Sequence, residues 1–152
     1  MVLSTPEGEE TAKLTIQSFH ADPLDTVRNS VEGPHAIAGV SYHGRDYFAR
    51  GEDDYLWLDA IAALQNQLPD GVRIKGCVTC RHGNLCPTGN NPNEVFCTKD
   101  AAIAEKRDLF FYTEDPEQRT RRARTFFHSC ESWQEQTEEC YTYSDYLEHL
   151  KG

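Results

Sequence analysis

Two cysteines separated by two residues, Cys77 and Cys80, form the motif of this chain with the clearest chemical use. Two thiolates at this spacing can bind one metal ion from a single tight turn, as they do in zinc ribbons and zinc knuckles. The pair lies at the end of a predicted strand and enters a segment, residues 81–92, that is rich in Gly, Asn and Pro. A return strand predicted over residues 94–98 would bring Cys97 back beside the pair. The spacing therefore predicts a metal site containing these three cysteines.

Tetrahedral zinc takes four ligands, and the candidates for the fourth are Cys86, Cys130, Cys140 and His82. Cys86 could ligate locally, whereas Cys140 would tie the C-terminal segment to the site. A remote ligand would stabilise the fold more, because metal-binding free energy is folding free energy. Two other uses of the thiols stay open. An iron–sulfur cluster also takes four thiolates, and a redox-active CxxC lies at a helix N-terminus, a position that the residues after Cys80 do not favour.

The segment around the cysteines contains several further short motifs. They are Gln67-Leu68-Pro69-Asp70-Gly71, Cys77-Val78-Thr79-Cys80, Pro87, Gly89-Asn90, Phe96-Cys97 and Gln136-Thr137-Glu138-Glu139-Cys140. Over residues 67–146 they resemble a small group of uncharacterised bacterial proteins that have a CxxC, a Pro/Gly loop, a third cysteine and a distal cysteine. Residues 81–83 depart from that pattern, which is more aromatic there. The shared four that the resemblance implies are Cys77, Cys80, Cys97 and Cys140, with Cys86 and Cys130 extra.

The rest of the chain predicts an α+β domain, with a small antiparallel sheet, one main helix and a zinc-knuckle-like four-cysteine site. Residues 1–12 are expected to form a flexible polar lead, and residues 13–152 a single metal-stabilised domain. The clearest helix is predicted over residues 53–68, where Asp53 or Asp54 can cap the start. Its apolar residues recur on one face. They are Trp57, Ile61, Leu64 and Leu68.

Strands are predicted where apolar residues run together or alternate with polar ones. The predicted strands cover residues 14–19, 36–42, 46–50, 72–77, 94–98 and 109–112. His43-Gly44 lies between two of them and predicts a hairpin turn. A loop is predicted over residues 22–34. Helical turns are predicted over residues 101–106, a charged helix over 117–139 and a short helix at the end of 141–150.

The charge balance restricts the class of partner. The chain has 25 acidic and 15 basic residues, which give a net charge of −10. This balance argues against nucleic acid, whose binding needs Lys and Arg against phosphate, and against anionic membrane surfaces. It is compatible with a basic protein partner. The arginines near residue 120 are expected on a solvated helix face, paired with acidic neighbours. They are Arg119, Arg121, Arg122 and Arg124.

The start of the chain, MVLSTPEGEE, lacks the basic and apolar regions of a secretory signal, and no stretch is long enough to span a membrane. A cytoplasmic location is therefore expected, and in a reducing compartment metal binding explains the cysteines better than disulfides. The six histidines show no HExxH spacing. The leading expectation is a non-enzymatic, zinc-stabilised interaction protein, by analogy an immunity-type protein that neutralises a basic toxin. The alternative is a redox or metal-dependent enzyme, or an iron–sulfur protein.

Overall fold

The computed structural model describes residues 1–19, 35–52, 56–85, 95–105, 107–108, 116–137 and 146–151, and the fold is α+β. The strands are β1 (Val2–Thr5), β2 (Gly8–Thr11), β3 (Leu14–Phe19), β4 (His35–Tyr42), β5 (Arg45–Gly51), β6 (Arg73–Lys75), β7 (Gly83–Leu85), β8 (Val95–Cys97) and β9 (Ala123–Arg124). The helices are α1 (Leu56–Gln65), α2 (Pro116–Arg122) and α3 (Tyr146–Lys151). In the described residues the strands form three antiparallel sheets, ordered β2-β1-β6, β3-β4-β5 and β7-β8-β9.

The first twelve residues do not form the flexible lead that the sequence predicts. β1 and β2 form a hairpin, and β1 also pairs with β6, so that Leu3 lies opposite Ile74. Leu3 is fully buried. The buried side chain of Leu3 and the backbone hydrogen bonds of the sheet therefore hold this segment, although its sequence is rich in polar residues. The hairpin fixes β6, the strand that leads into the cysteine pair.

The second sheet confirms the predicted strand over residues 14–19 and the predicted hairpin around His43-Gly44. β4 pairs with β5 from Ala36↔Gly51 to Tyr42↔Arg45. Both turn residues have positive φ, 47° at His43 and 75° at Gly44, as a two-residue hairpin turn with the twist of its strands requires. The predicted loop at residues 22–34 lies outside the described residues.

Helix α1 confirms the predicted main helix, with an end earlier than expected. Residues 53–55 lie outside the described part, and the helix ends at Gln65, where the chain turns before Gly71. Ile61 and Leu64 are fully buried against the second sheet. Gln65 is also buried: its Nε2 donates to the Val72 carbonyl and its Oε1 accepts from the Ile74 N–H, both at 2.8 Å. This side chain joins the helix to β6.

The C-terminal third differs most from the sequence-based prediction. No helical turn forms over residues 101–105, and the helix predicted for 117–139 is limited to Pro116–Arg122, followed by β9 and an irregular segment. The predicted strand at 109–112 lies outside the described residues. A short helix does end the described chain, at Tyr146–Lys151. Among the described helices, none is long and apolar enough to cross a membrane.

Candidate metal centre

A tight turn between β6 and β7 carries the first two cysteines. Gly76 leads from β6 into a 3₁₀ turn, and its carbonyl accepts the Thr79 N–H at 3.2 Å. The Cys77 carbonyl accepts the Cys80 N–H at 3.3 Å. Both cysteines are buried, each with 7% of its surface exposed. The CxxC is therefore a buried, tight turn.

Gly83 closes this turn by a very near approach of backbone to backbone. Its N–H donates to the Cys80 carbonyl at 2.8 Å. A Cβ at position 83 would lie 1.8 Å from the Cys77 carbonyl oxygen. Only glycine fits, because any side chain would overlap the peptide group of the first cysteine.

Cys97 is brought beside the turn by the return strand, as the strand–loop–strand pattern predicts. β7 pairs with β8, so that Gly83 lies opposite Cys97. The Thr98 N–H donates to the His82 carbonyl at 2.8 Å and extends this pairing past the strand end. Arg122 Nη1 donates to the Cys97 carbonyl at 3.1 Å. The backbone of the third cysteine is thus held by its pairing with β7 and by the side chain of Arg122.

An irregular segment, residues 125–136, crosses the cysteine turn and brings Cys130 to it. The Val78 N–H donates to the Phe126 carbonyl at 3.0 Å, and the Arg81 N–H donates to the Gln134 carbonyl at 2.9 Å. These two bonds anchor the segment on either side of Cys130.

Two side chains of the same segment add to this anchorage. Gln136 is buried and donates from Nε2 to the Cys80 carbonyl at 3.1 Å. The Trp133 indole N–H donates to the Thr79 hydroxyl at 3.2 Å. The segment therefore follows the cysteine turn along most of its length.

All four described cysteines line one small cavity, and none of the four is in a disulfide. The cavity has a volume of about 20 Å³. Its cysteines are Cys77, Cys80, Cys97 and Cys130, and its other lining residues include His82, Lys99, His128 and Trp133. The Cys77 thiol donates to the His128 carbonyl at 3.7 Å. Four cysteines from three parts of the chain thus line a space about the size of one ion or water molecule.

The pKa of the Cys77 thiol is shifted by its burial and by the thiols around it. Its pKa is raised to about 12, first by burial and then by the nearby thiols of Cys80, Cys97 and Cys130, while Arg124 acts in the opposite direction. At neutral pH this thiol stays protonated in the metal-free protein, unlike the activated thiol of a redox CxxC, whose pKa is lowered. A bound cation would reverse the local preference and favour the thiolate.

His82 lies on the rim of the same cavity and is half-buried. Burial lowers the pKa of its imidazole, and the neighbouring Arg81 and Lys99 lower it further. The ring is therefore neutral at neutral pH, the form in which histidine binds a metal.

The sequence-predicted ligands have different outcomes in the structure. Cys77, Cys80 and Cys97 lie together, whereas Cys86 and Cys140 lie outside the described residues. As the side chains stand, no group of three or more His, Cys, Asp or Glu residues in the described part of the chain is arranged so that it could hold a metal ion. The four described cysteines thus line one cavity, but their side chains do not form a metal-binding group there.

Sequence reasoning placed the arginine cluster wrongly at one position. Arg122 is buried rather than solvated, and it donates to Gln118 Oε1 at 3.0 Å as well as to the Cys97 carbonyl. Arg124 donates to the carbonyls of Arg121 and Ala123. These side chains hold the backbone beside the cavity in place. The run of arginines in the sequence does not indicate this structural role.

No protein-family model matches the chain, and searches of curated proteins and of solved structures find no significant match. The resemblance to a bacterial group therefore stays an expectation. What the protein does has to be argued from its own residues.

Proposed function

We propose that this protein is a zinc-stabilised interaction domain and not an enzyme, with one structural Zn²⁺ bound by Cys77, Cys80, Cys97 and Cys130. The observation that carries the proposal is that these four side chains line one cavity. Thiolates are soft ligands that favour zinc and iron–sulfur clusters over hard cations. Four of them make a closed tetrahedral site, which is the structural type.

We expect the four cysteines to converge on a metal by side-chain rotation. Each cysteine has a single χ1 torsion that carries its sulfur between staggered positions. Cys97 and Cys130 are half-buried, and the backbone around each is fixed by the hydrogen bonds described above.

The size of the cavity favours a single ion over an iron–sulfur cluster. A volume of about 20 Å³ accommodates one ion, whereas a cluster of several irons and sulfides would need the lining segments to move apart. Those segments are tied by bonds such as Val78 N–H to the Phe126 carbonyl. Zinc is accordingly the metal that we propose.

The local structure also favours a structural site over a redox enzyme. Cys77 begins a three-residue 3₁₀ turn, and the chain then passes through Cys80 into β7. A thioredoxin-like CxxC instead has a helix after it, whose dipole stabilises the thiolate. In a site with four protein ligands, no coordination position is open for a substrate or water.

Metal analysis of the purified protein tests the site. We expect about one zinc per chain in the wild type and a loss of zinc from Cys130→Ser. Cys86→Ser and Cys140→Ser are matched controls that should retain it, and His82→Gln tests the neighbouring imidazole. Zinc that survives Cys130→Ser but is lost with Cys140→Ser or His82→Gln would assign the fourth ligand elsewhere. A protein without zinc, or one with the brown colour of iron–sulfur centres, would refute the zinc proposal.

The partner that we propose is a basic protein, as a toxin neutralised by an immunity-type protein would be. The net charge of −10 supports this choice, because opposite charges accelerate encounter and oppose the binding of acidic competitors. Purification of the tagged protein from its native cells should recover a basic partner whose binding weakens as salt is added. Turnover of a dithiol substrate by the wild type but not by Cys77→Ser would instead support the enzyme alternative.

A further inference from the structure

Strand β5 is an edge of the second sheet. It pairs with β4 on one side, and in the described part of the chain no strand pairs with its other side. Exposed edges present unpaired backbone N–H and C=O groups, which can add a strand from another chain. The seven residues of Arg45–Gly51 are long enough to form such a pairing.

The two faces of β5 differ sharply. Tyr47, Ala49 and Gly51 are buried on the helix side, whereas Asp46, Phe48 and Arg50 are exposed on the outer side. Phe48 has 60% of its surface exposed, and its ring lies over Gly39 of β4: a Cβ there would be 2.4 Å from its Cδ1. An apolar ring therefore lies on the outer face, with Asp46 and Arg50 on either side of it along the strand.

We propose that β5 pairs antiparallel with β5 of a second copy of this chain, about a two-fold axis at Phe48. In that register Asp46 lies opposite Arg50 of the other copy, and the reciprocal pair lies on the far side of the axis. Residues opposite each other in an antiparallel pair share a face, so both ion pairs lie on the outer face beside the two phenylalanine rings. Tyr47 then lies opposite Ala49 on the buried face, which keeps the two apolar layers continuous.

The charges that this pairing uses also make exposed contacts within the chain. Asp46 accepts a hydrogen bond from the Ser41 hydroxyl across the hairpin, and Arg50 lies 2.6 Å from Glu52. Exposed pairs of this kind contribute little, so a partner strand can compete for them. The other edge of the sheet lacks this complementarity: a two-fold axis at Ile16 of β3 would place Thr15 opposite Gln17, two uncharged residues.

A charge swap tests the register, with dimer dissociation measured by sedimentation of the full-length protein over a concentration series. The wild type should dimerise. Asp46→Arg places like charges opposite each other twice and should weaken dimerisation at least about tenfold. The double variant Asp46→Arg, Arg50→Asp restores opposite charges and should return to within about threefold of the wild type. Asp70→Arg, an equal charge change in the exposed turn after α1, should have no effect.

A wild type that is monomeric throughout the series overturns the proposal. So does an Asp46→Arg variant that dimerises like the wild type, or a charge swap that fails to restore the dimer. Circular dichroism of each variant shows that its fold is intact. The proposal is independent of the metal centre, because neither strand of the β4–β5 hairpin contributes a residue that lines the cysteine cavity.

Discussion

Replacing Gly83 with alanine is expected to open the cysteine turn and to lower the free energy of unfolding by about 3 kcal/mol or more. The new Cβ would lie 1.8 Å from the Cys77 carbonyl oxygen and 3.2 Å from the Cys80 carbonyl oxygen. Both neighbours are backbone atoms, so no side-chain rotation can relieve the overlap. Space is the whole reason, because Gly83 is not among the glycines with positive φ. Urea unfolding of the zinc-loaded protein measures the loss.

The matched control is Gly39→Ala, which also creates a close contact but with a different kind of neighbour. There the Cβ would lie 2.4 Å from Cδ1 of Phe48, a side chain with 60% of its surface exposed. The ring can turn away into solvent, so we expect a cost below about 1 kcal/mol. Equal costs for the two alanine variants would show that Gly83 does not close the cysteine turn in the way described.

The parts of the fold that sequence patterns predict well are those with local signals. The hairpin around His43-Gly44 follows from two apolar runs and a turn pair that tolerates positive φ. Cys97 lies beside the CxxC because β8 pairs antiparallel with β7, the strand that follows the CxxC. In both cases the residues that decide the structure are close in sequence.

The parts that sequence patterns miss depend on distant contacts. The pairing of Leu3 with Ile74 joins segments that are far apart, and ten mostly polar residues contain no sign of it. Burial of Arg122 likewise depends on the Cys97 carbonyl, which becomes available only after β8 has formed. Intrinsic propensity gives way to tertiary context at such positions.

Cys130 illustrates why the fourth cysteine of the cavity is harder to predict than the first three. It lies in an irregular segment without hydrophobic periodicity, and backbone bonds such as Arg81 N–H to the Gln134 carbonyl position it. Backbone donors and acceptors are common to all residue types, so they leave no trace in the sequence. The sequence does contain a signal for the cysteine turn itself. That signal is Gly83, because a glycine three residues after a CxxC allows the turn to close.

Removal of the proposed zinc is expected to release the cysteine turn and the segment 125–136 while the second sheet stays folded. Structural zinc contributes about 10 kcal/mol or more of binding free energy in small zinc domains. Here the core formed by α1 and the β3-β4-β5 sheet has its own buried apolar residues, including Ala38 and Ile61. We therefore expect local rather than global unfolding when a strong chelator removes the zinc.

Hydrogen exchange measures this directly, because two amides report on the contact between the turn and the segment. The Val78 and Arg81 N–H groups, which donate to the Phe126 and Gln134 carbonyls, should exchange at least about a hundredfold faster after chelation, a change of about 2.7 kcal/mol. Amides of the β4–β5 hairpin should change little, and added zinc should restore protection. Cys130→Ser should exchange rapidly at these two amides with or without the chelator. If chelation leaves the protection of these two amides unchanged in the wild type, the hydrogen bonds alone hold this segment. A metal bound by the four cysteines would have to slow the opening of the segment.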